Sequence, residues 1–224
     1  MKHVLNQFCD KIFVISIDRF GRKDNMRERL SGVEFEFFNG VDGSLVSEEE
    51  YGLYQMRRLP GSHNLSRGMY GCAMSHLNLY KKIVSDGLNN VLILEDDVWM
   101  TNAVYNLGNY FDQMPGYDLV YFGLNNGNTD FEKILVPPSG KNVVGVTADM
   151  IRHNRWLTLE GTNAYFIRSN EYLKGLIEFQ EKWMYTSDGA LIEYLLHTGG
   201  VYHVFNPQVF PAEKNQKSII LNTI

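Results

Sequence analysis

The chain alternates short apolar runs with amphipathic stretches. Ile12, Phe13, Val14, Ile15 and Ile17 make residues 11–17 a strand buried on both faces. A helix is predicted over 22–30, stopped by Gly32, and a loosely alternating strand over 33–38. Ser47-Glu48-Glu49-Glu50 reads as a capping box that opens a helix over 47–58, followed by an irregular stretch at 59–68 containing Pro60 and Gly61. Residues 71–86 form the clearest helix, because Ala73, Leu77, Tyr80 and Val84 recur on one face before Gly87. Val91-Leu92-Ile93-Leu94 is the next buried strand. Beyond it the pattern predicts a helix over 103–114, a strand over 118–123, a polar loop over 125–129 and shorter strands within 131–167. Helices over 171–184 and 188–197, a strand over 201–205 and a polar tail that wraps a surface or lids a site complete the chain.

Strand and helix alternate in the first half, which means a mostly parallel sheet covered by helices; the second half is mixed. The expected fold class is α/β, in one domain over 1–224. Composition narrows the function classes. With 44% apolar and 21% charged residues the chain is ordinary globular material. A formal net charge of −5 leaves no broad basic footprint for nucleic acid. No apolar run reaches the roughly 18 residues of a membrane span, and no long apolar leader opens the chain. Only Cys9 and Cys72 are present, without metal-type spacing, so a buried thiol in a reducing compartment is expected of Cys72.

The strand at 91–94 runs directly into Glu95, Asp96 and Asp97. Three carboxylates cannot stay in a core uncompensated, so they belong where the strand leaves the sheet. That is where ligands bind in open α/β sheets. Alternation places Glu95 and Asp97 on one side and Asp96 on the other. Such a cluster suits Mg²⁺ or Mn²⁺, ions that commonly arrive with phosphates. The competing reading is a solvated acidic turn.

Three further stretches share this location. One is the strand exit Ile15-Ser16-Ile17-Asp18-Arg19 with Arg22; another is the loop Asn39-Gly40-Val41-Asp42-Gly43; the third is Gly71-Cys72-Ala73-Met74-Ser75-His76, opening a helix. Strand exits and helix N-termini both suit a phosphate-bearing ligand. Each residue also has a purely structural reading: Asp42 as a turn former, Ser75 and His76 as satisfied helix residues, Arg19 and Arg22 as solvated charges, His203 and Tyr165 as core.

The combination resembles glycosyltransferase family 25, the lipooligosaccharide and procollagen galactosyltransferase group, well over roughly residues 11–100 and more loosely over 160–210. Gly71-Cys72-Ala73-x-Ser75-His76 followed by Leu94-Glu95-Asp96-Asp97-Val98 carries the resemblance. The family often has Asn where Ser16 stands and Glu-Ile where Met69-Tyr70 stand. The resemblance implies a GT-A, Rossmann-like fold, with a nucleotide-sugar half over about 11–123 and an acceptor-side half over about 124–224. It implies inverting transfer of galactose or glucose from a UDP-sugar to a glycan or hydroxylated acceptor. Asp97, with Glu95, would hold Mn²⁺ or Mg²⁺. Ser16, Asp18, Arg19, Arg22, Gly40, Asp42, Gly71, Ser75, His76, Glu95 and Asp96 would face the nucleotide sugar. The general base is expected among later acids: Asp188, which matches the family's late Asp before a helix, then Glu160 before Gly161. A capping role is the alternative for Asp188. A cytoplasmic enzyme of the bacterial or viral type is expected.

Two readings from other classes compete. A non-catalytic nucleotide or carbohydrate-binding module would keep the fold without the chemistry. A Mg²⁺-binding receiver-like signalling domain would need an acceptor Asp at the end of a later strand, where Gly123 stands.

Overall fold

The computed structural model describes residues 2–57, 65–114, 116–124, 137, 139–153, 159 and 161–212. Its strands are β1 (Lys11–Ser16), β2 (Glu36–Asn39), β3 (Val91–Glu95), β4 (Leu119–Gly123), β5 (Val143–Thr147), β6 (Ala164–Ile167) and β7 (Val201–Phe205). They form one seven-stranded sheet in the order β2-β1-β3-β6-β4-β7-β5. β1 pairs parallel with β2 and β3, and β4 parallel with β7. β6 is antiparallel to β3 and β4, and β5 to β7. Thus β2, β1, β3, β4 and β7 share one direction, and the reversals fall in the second half, as expected.

Alternation along the strands builds two cores. Ile12, Val14, Leu92, Leu94, Val120, Phe122 and Phe166 face one layer, with α1 (Leu5–Phe8), α2 (Arg22–Arg29) and α5 (Leu107–Phe111). Phe13, Ile15, Val91, Ile93, Tyr121, Tyr165 and Val204 face the other. That layer carries α4 (Arg67–Ser85), α7 (Asn170–Lys182) and α8 (Ser187–Thr198). Among the described residues two helices remain, α3 (Glu48–Met56) and α6 (Ala148–His153). Among the described residues no helix is long and apolar enough to cross a membrane.

Several expected boundaries move. α4 begins at Arg67, because Ser66 caps it by accepting from the Met69 N–H at 3.2 Å; Gly71 therefore lies inside the helix. The capping box of α3 is half made. Ser47 accepts from the Glu50 N–H at 3.1 Å, but the Glu50 carboxylate bonds the Tyr70 hydroxyl instead. The helix expected over 103–114 divides into a 3₁₀ turn, Asn102–Asn106, and the shorter α5. The region read only as strands contains α6 between β5 and β6, started by Thr147 accepting from the Met150 N–H. The loop expected at 125–129 lies outside the described residues.

The described start of the tail, residues 207–212, folds back as a strap. Val209 and Phe210 both donate to the Phe122 carbonyl, Trp99 donates to Pro211, and Ala212 bridges Val98. This crossing explains Gly123: a Cβ there would lie 1.6 Å from the Phe210 carbonyl oxygen. Gly123→Ala should therefore cost about 3 kcal/mol or more, since backbone must move. Gly52→Ala, in α3 with nothing within 4 Å of the new Cβ, should instead stabilise by about 0.5–1 kcal/mol. Urea-unfolding midpoints of the two variants test the contrast.

Candidate active site

Parallel pairing aligns the carboxyl ends of three strands. Ser16 stands opposite Asn39, and Ile15 opposite Glu95. The antiparallel β6 brings its amino end to the same rim, so Thr162 and Asn163 precede β6 beside the end of β3; the Glu95 N–H donates to the Asn163 carbonyl at 2.8 Å.

Glu95 and Asp96 part as alternation requires, but Asp97, expected on the side of Glu95, lies in the turn beyond β3 near the arginine that holds Asp96, because strand alternation ends at Glu95. Glu95 turns toward α4, where its Oε1 accepts from Thr162 Oγ1 at 2.6 Å and lies 3.3 Å from His76 Nε2. Asp96 turns toward α2 and takes Arg22 Nη1 at 2.7 Å; both side chains are only 7% exposed. Asp97 follows in a turn, with its Oδ2 3.9 Å from the same Arg22 nitrogen. Asp96 Oδ2 and Asp97 Oδ1 are buried without a hydrogen-bond partner among the described residues.

The electrostatics of the two outer acids diverge. Burial works to raise the Glu95 carboxyl, but the hydrogen bond and attraction of His76, the Thr162 hydroxyl and Arg22 together hold it below the usual carboxylate range. Asp97 moves the other way, from the ordinary 3.8 to about 7. Burial is the main cause and the charge of Glu95 adds to it, against relief from Arg22 and Asn163. An ionised carboxylate next to a reluctant one, with a bare oxygen between elements, fits a hard divalent cation.

The loop after β2 is locked onto α4. Val41 donates to Ser75 Oγ at 2.7 Å, and Ser75 donates to the Gly71 carbonyl at 2.6 Å. Gly71 is required because a Cβ there would meet the Val41 carbonyl oxygen at 2.6 Å. Asp42 caps the 3₁₀ turn Gly43–Leu45 through the Ser44 N–H and pairs with Arg19. Gly40 packs between β1 and Ser75. In the β1–α2 loop Asp18 and Phe20 adopt left-handed backbone angles, φ 57° and 59°, and the Ser16 hydroxyl accepts from the Asp18 N–H.

The candidates thus divide into two kinds. Asp18, Arg19, Asp42, Glu95 and Asp97 keep partial exposure at the rim, whereas Ser16, Arg22, Gly71, Ser75, His76 and Asp96 are buried behind it. Gly71, Ser75 and His76 were expected at a helix start; the earlier cap at Ser66 puts them within α4, where they hold the loop and Glu95. Thr186 is the N-cap of α8, accepting from the Gly189 N–H at 3.1 Å, and Asp188 shares that role: its Oδ1 accepts from the same N–H at 2.8 Å. Asp188 Oδ2 also accepts from the Gly161 N–H at 3.1 Å. Its neighbour Ser187 lies 2.9 Å from Thr162 Oγ1, which bridges to Glu95. Asp188 therefore stands close to the acidic exit, nearer than its place late in the chain suggested. Glu160 lies outside the described residues. Thr162, Asn163 and Ser187 were missed; the polar run Gly161-Thr162-Asn163 before an apolar strand was their only sequence signal.

Residues 9–191 match the profile described as Glycosyltransferase family 25 (LPS biosynthesis protein). A Drosophila melanogaster protein named Glycosyltransferase 25 family member is 37% identical over 128 residues, 51% of this chain and 21% of that protein. Mouse procollagen galactosyltransferase 2 is 32% identical over 98 residues, 40% of this chain and 16% of its own. A human protein named Inactive glycosyltransferase 25 family member 3 is 28% identical over 153 residues, 61% of this chain and 25% of its own. The chain thus spans at most about a quarter of the length of these relatives.

Asp97 makes a stability prediction. Between pH 3.8 and about 7 the folded chain keeps a proton on Asp97 that the unfolded chain has released. Stability without metal should therefore fall as pH rises through that window. Asp97→Asn, which cannot titrate, should remove this part of the slope; identical pH profiles of thermal midpoint in the two proteins would contradict the assignment.

Proposed function

The chain belongs to glycosyltransferase family 25, and on that premise we propose that it transfers galactose or glucose from a UDP-sugar to a hydroxyl of a glycan or hydroxylated acceptor, with inversion and a divalent cation at the end of β3. One observation carries this reading: Glu95, Asp96 and Asp97 leave β3 in succession at the carboxyl rim of the sheet, and Asp97 Oδ1 is buried there without a partner among the described residues. Mn²⁺ or Mg²⁺ held by Asp97 and Glu95 would neutralise charge on the nucleoside diphosphate leaving group.

The chain's own residues supply the remaining work. Arg22 fixes Asp96 and steadies the turn that presents Asp97. The Arg19–Asp42 pair ties the loops after β1 and β2 together, which supports a nucleotide cleft in the GT-A manner. Asp188 is the base in this reading. The acceptor hydroxyl oxygen bonds to the anomeric carbon as the bond from that carbon to the diphosphate oxygen breaks, and the hydroxyl proton passes to the Asp188 carboxylate. The backbone N–H groups of Gly161 and Gly189 orient that carboxylate, one on each oxygen, and each oxygen keeps a lone pair to accept.

A panel of nucleotide sugars with Mn²⁺, scored for nucleoside diphosphate release, tests the reaction. Asp97→Asn should lose most metal-dependent turnover while keeping its fold. Asp188→Asn should keep nucleotide affinity and lose about 10²–10⁴-fold in turnover. Full turnover in Asp188→Asn would remove it as the base. Tight nucleotide binding without release from any donor would make the chain a binding module, in line with the relative named inactive.

A further inference from the structure

A second group of ligating atoms lies behind the acidic exit. Cys72 and His76 stand one turn apart on α4 and present their side chains to the same face. The end of β3 brings Glu95 to that face. Cys72 Sγ, His76 Nε2 and a Glu95 oxygen all lie within 4.8 Å of one another, and His76 Nε2 is 3.3 Å from Glu95 Oε1. A tetrahedral ion with bonds of about 2.0–2.3 Å separates its ligand atoms by about 3.3–3.7 Å. The His76–Glu95 edge already has that length, and the edges to Cys72 Sγ are no longer than 4.8 Å.

The surroundings are those of a supported site. His76 Nδ1 is 2.6 Å from the Tyr165 hydroxyl, itself 2.7 Å from the Tyr80 hydroxyl. This leaves Nε2 directed at the other two ligands, the outer bond by which a metal-bound histidine is commonly oriented. Thr162 Oγ1 donates to Glu95, and Ser187 Oγ is 3.2 Å from Cys72 Sγ. One sulfur, one imidazole nitrogen and one carboxylate oxygen make a donor set for zinc rather than for magnesium.

We propose that Cys72, His76 and Glu95 form a three-ligand site for Zn²⁺ or a similar borderline-soft cation, with water as the fourth ligand. The site rests on observations of its own and shares Glu95 with the transferase reading. Binding forms the metal–sulfur bond as the Cys72 proton leaves to solvent and the ion gives up hydration waters. Burial pushes the Cys72 thiol up, with Glu95 adding to the effect, and a coordinated cation reverses that by holding the thiolate. Metal uptake therefore releases protons.

Titration of the metal-free protein with Co²⁺, a spectroscopic substitute for Zn²⁺, reads the site directly. The expected result is one ion per chain, a thiolate-to-cobalt charge-transfer band and displacement by Zn²⁺. The band should vanish in Cys72→Ser and His76→Gln and persist in Cys9→Ser and Asp97→Asn, with circular dichroism confirming that each variant is folded. Tyr165→Phe, which keeps every ligand, should retain the band and bind about 10–100-fold more weakly. It remains the decisive variant if the ligand substitutions do not fold. No thiolate band in the wild type, a band that survives Cys72→Ser, or an ion lost with Asp97→Asn would overturn the proposal. A normal band in a chain without donor turnover would fail the transferase reading alone.

Discussion

Three carboxylates leaving a buried strand in succession cannot share one environment, and much of the molecule is arranged around that constraint. An unpaired carboxylate in a dry interior is too costly to keep. Asp96 meets the cost with a buried guanidinium on α2, the helix that directly follows β1. Glu95 meets it with an imidazole and a hydroxyl from the opposite layer. Asp97 meets it least: the guanidinium that pairs with Asp96 is 3.9 Å away, and its Oδ1 has no hydrogen-bond partner among the described residues. The sheet thus separates the charges onto its two faces and leaves one of them at the rim. Removal of Arg22 would strand Asp96 in the interior, so the ion pair holds the geometry of the exit as well as its charge.

The helices on the α4 side serve this rim at second hand. Ser75 and His76 are buried. Ser75 fixes the Val41 N–H and His76 fixes Glu95. Through Thr162 and Ser187 the same network reaches the start of α8 and so the neighbourhood of Asp188. Neighbouring residues of α4 therefore hold the loop after β2 on one side and, through a chain of hydrogen bonds, one acid of the triplet and the amino end of α8 on the other.

What the sequence revealed follows from the range of the interactions involved. The buried strands at 11–17 and 91–94 were legible because a short apolar run between turn-formers has few other uses. The partition of Glu95 from Asp96 was legible because strand alternation is local. The start of α4 was not, since the cap lay in Ser66, outside the apolar periodicity that marks the helix body. Thr162 and Asn163 were hidden for a different reason. They reach the end of β3 only because β6 runs antiparallel to it, and no local pattern in residues 161–167 states which neighbour or direction that strand will take. Asp188 was legible as a candidate by resemblance, but its bond to Gly161 depends on tertiary placement of two loops.

The strap that crosses Gly123 has a consequence for how the protein is made. Phe122, Val98 and Trp99 emerge from the ribosome long before Val209, Phe210, Pro211 and Ala212, their eventual partners. Until those residues arrive, the backbone beside the acidic exit lacks its native cover. The parallel strands β2, β1 and β3 come from the first half of the chain, but this rim can be completed only once residues 209–212 have been made. A nascent chain stalled before the strap would present a nearly formed sheet with an unfinished mouth, the kind of intermediate that a holding chaperone is suited to recognise.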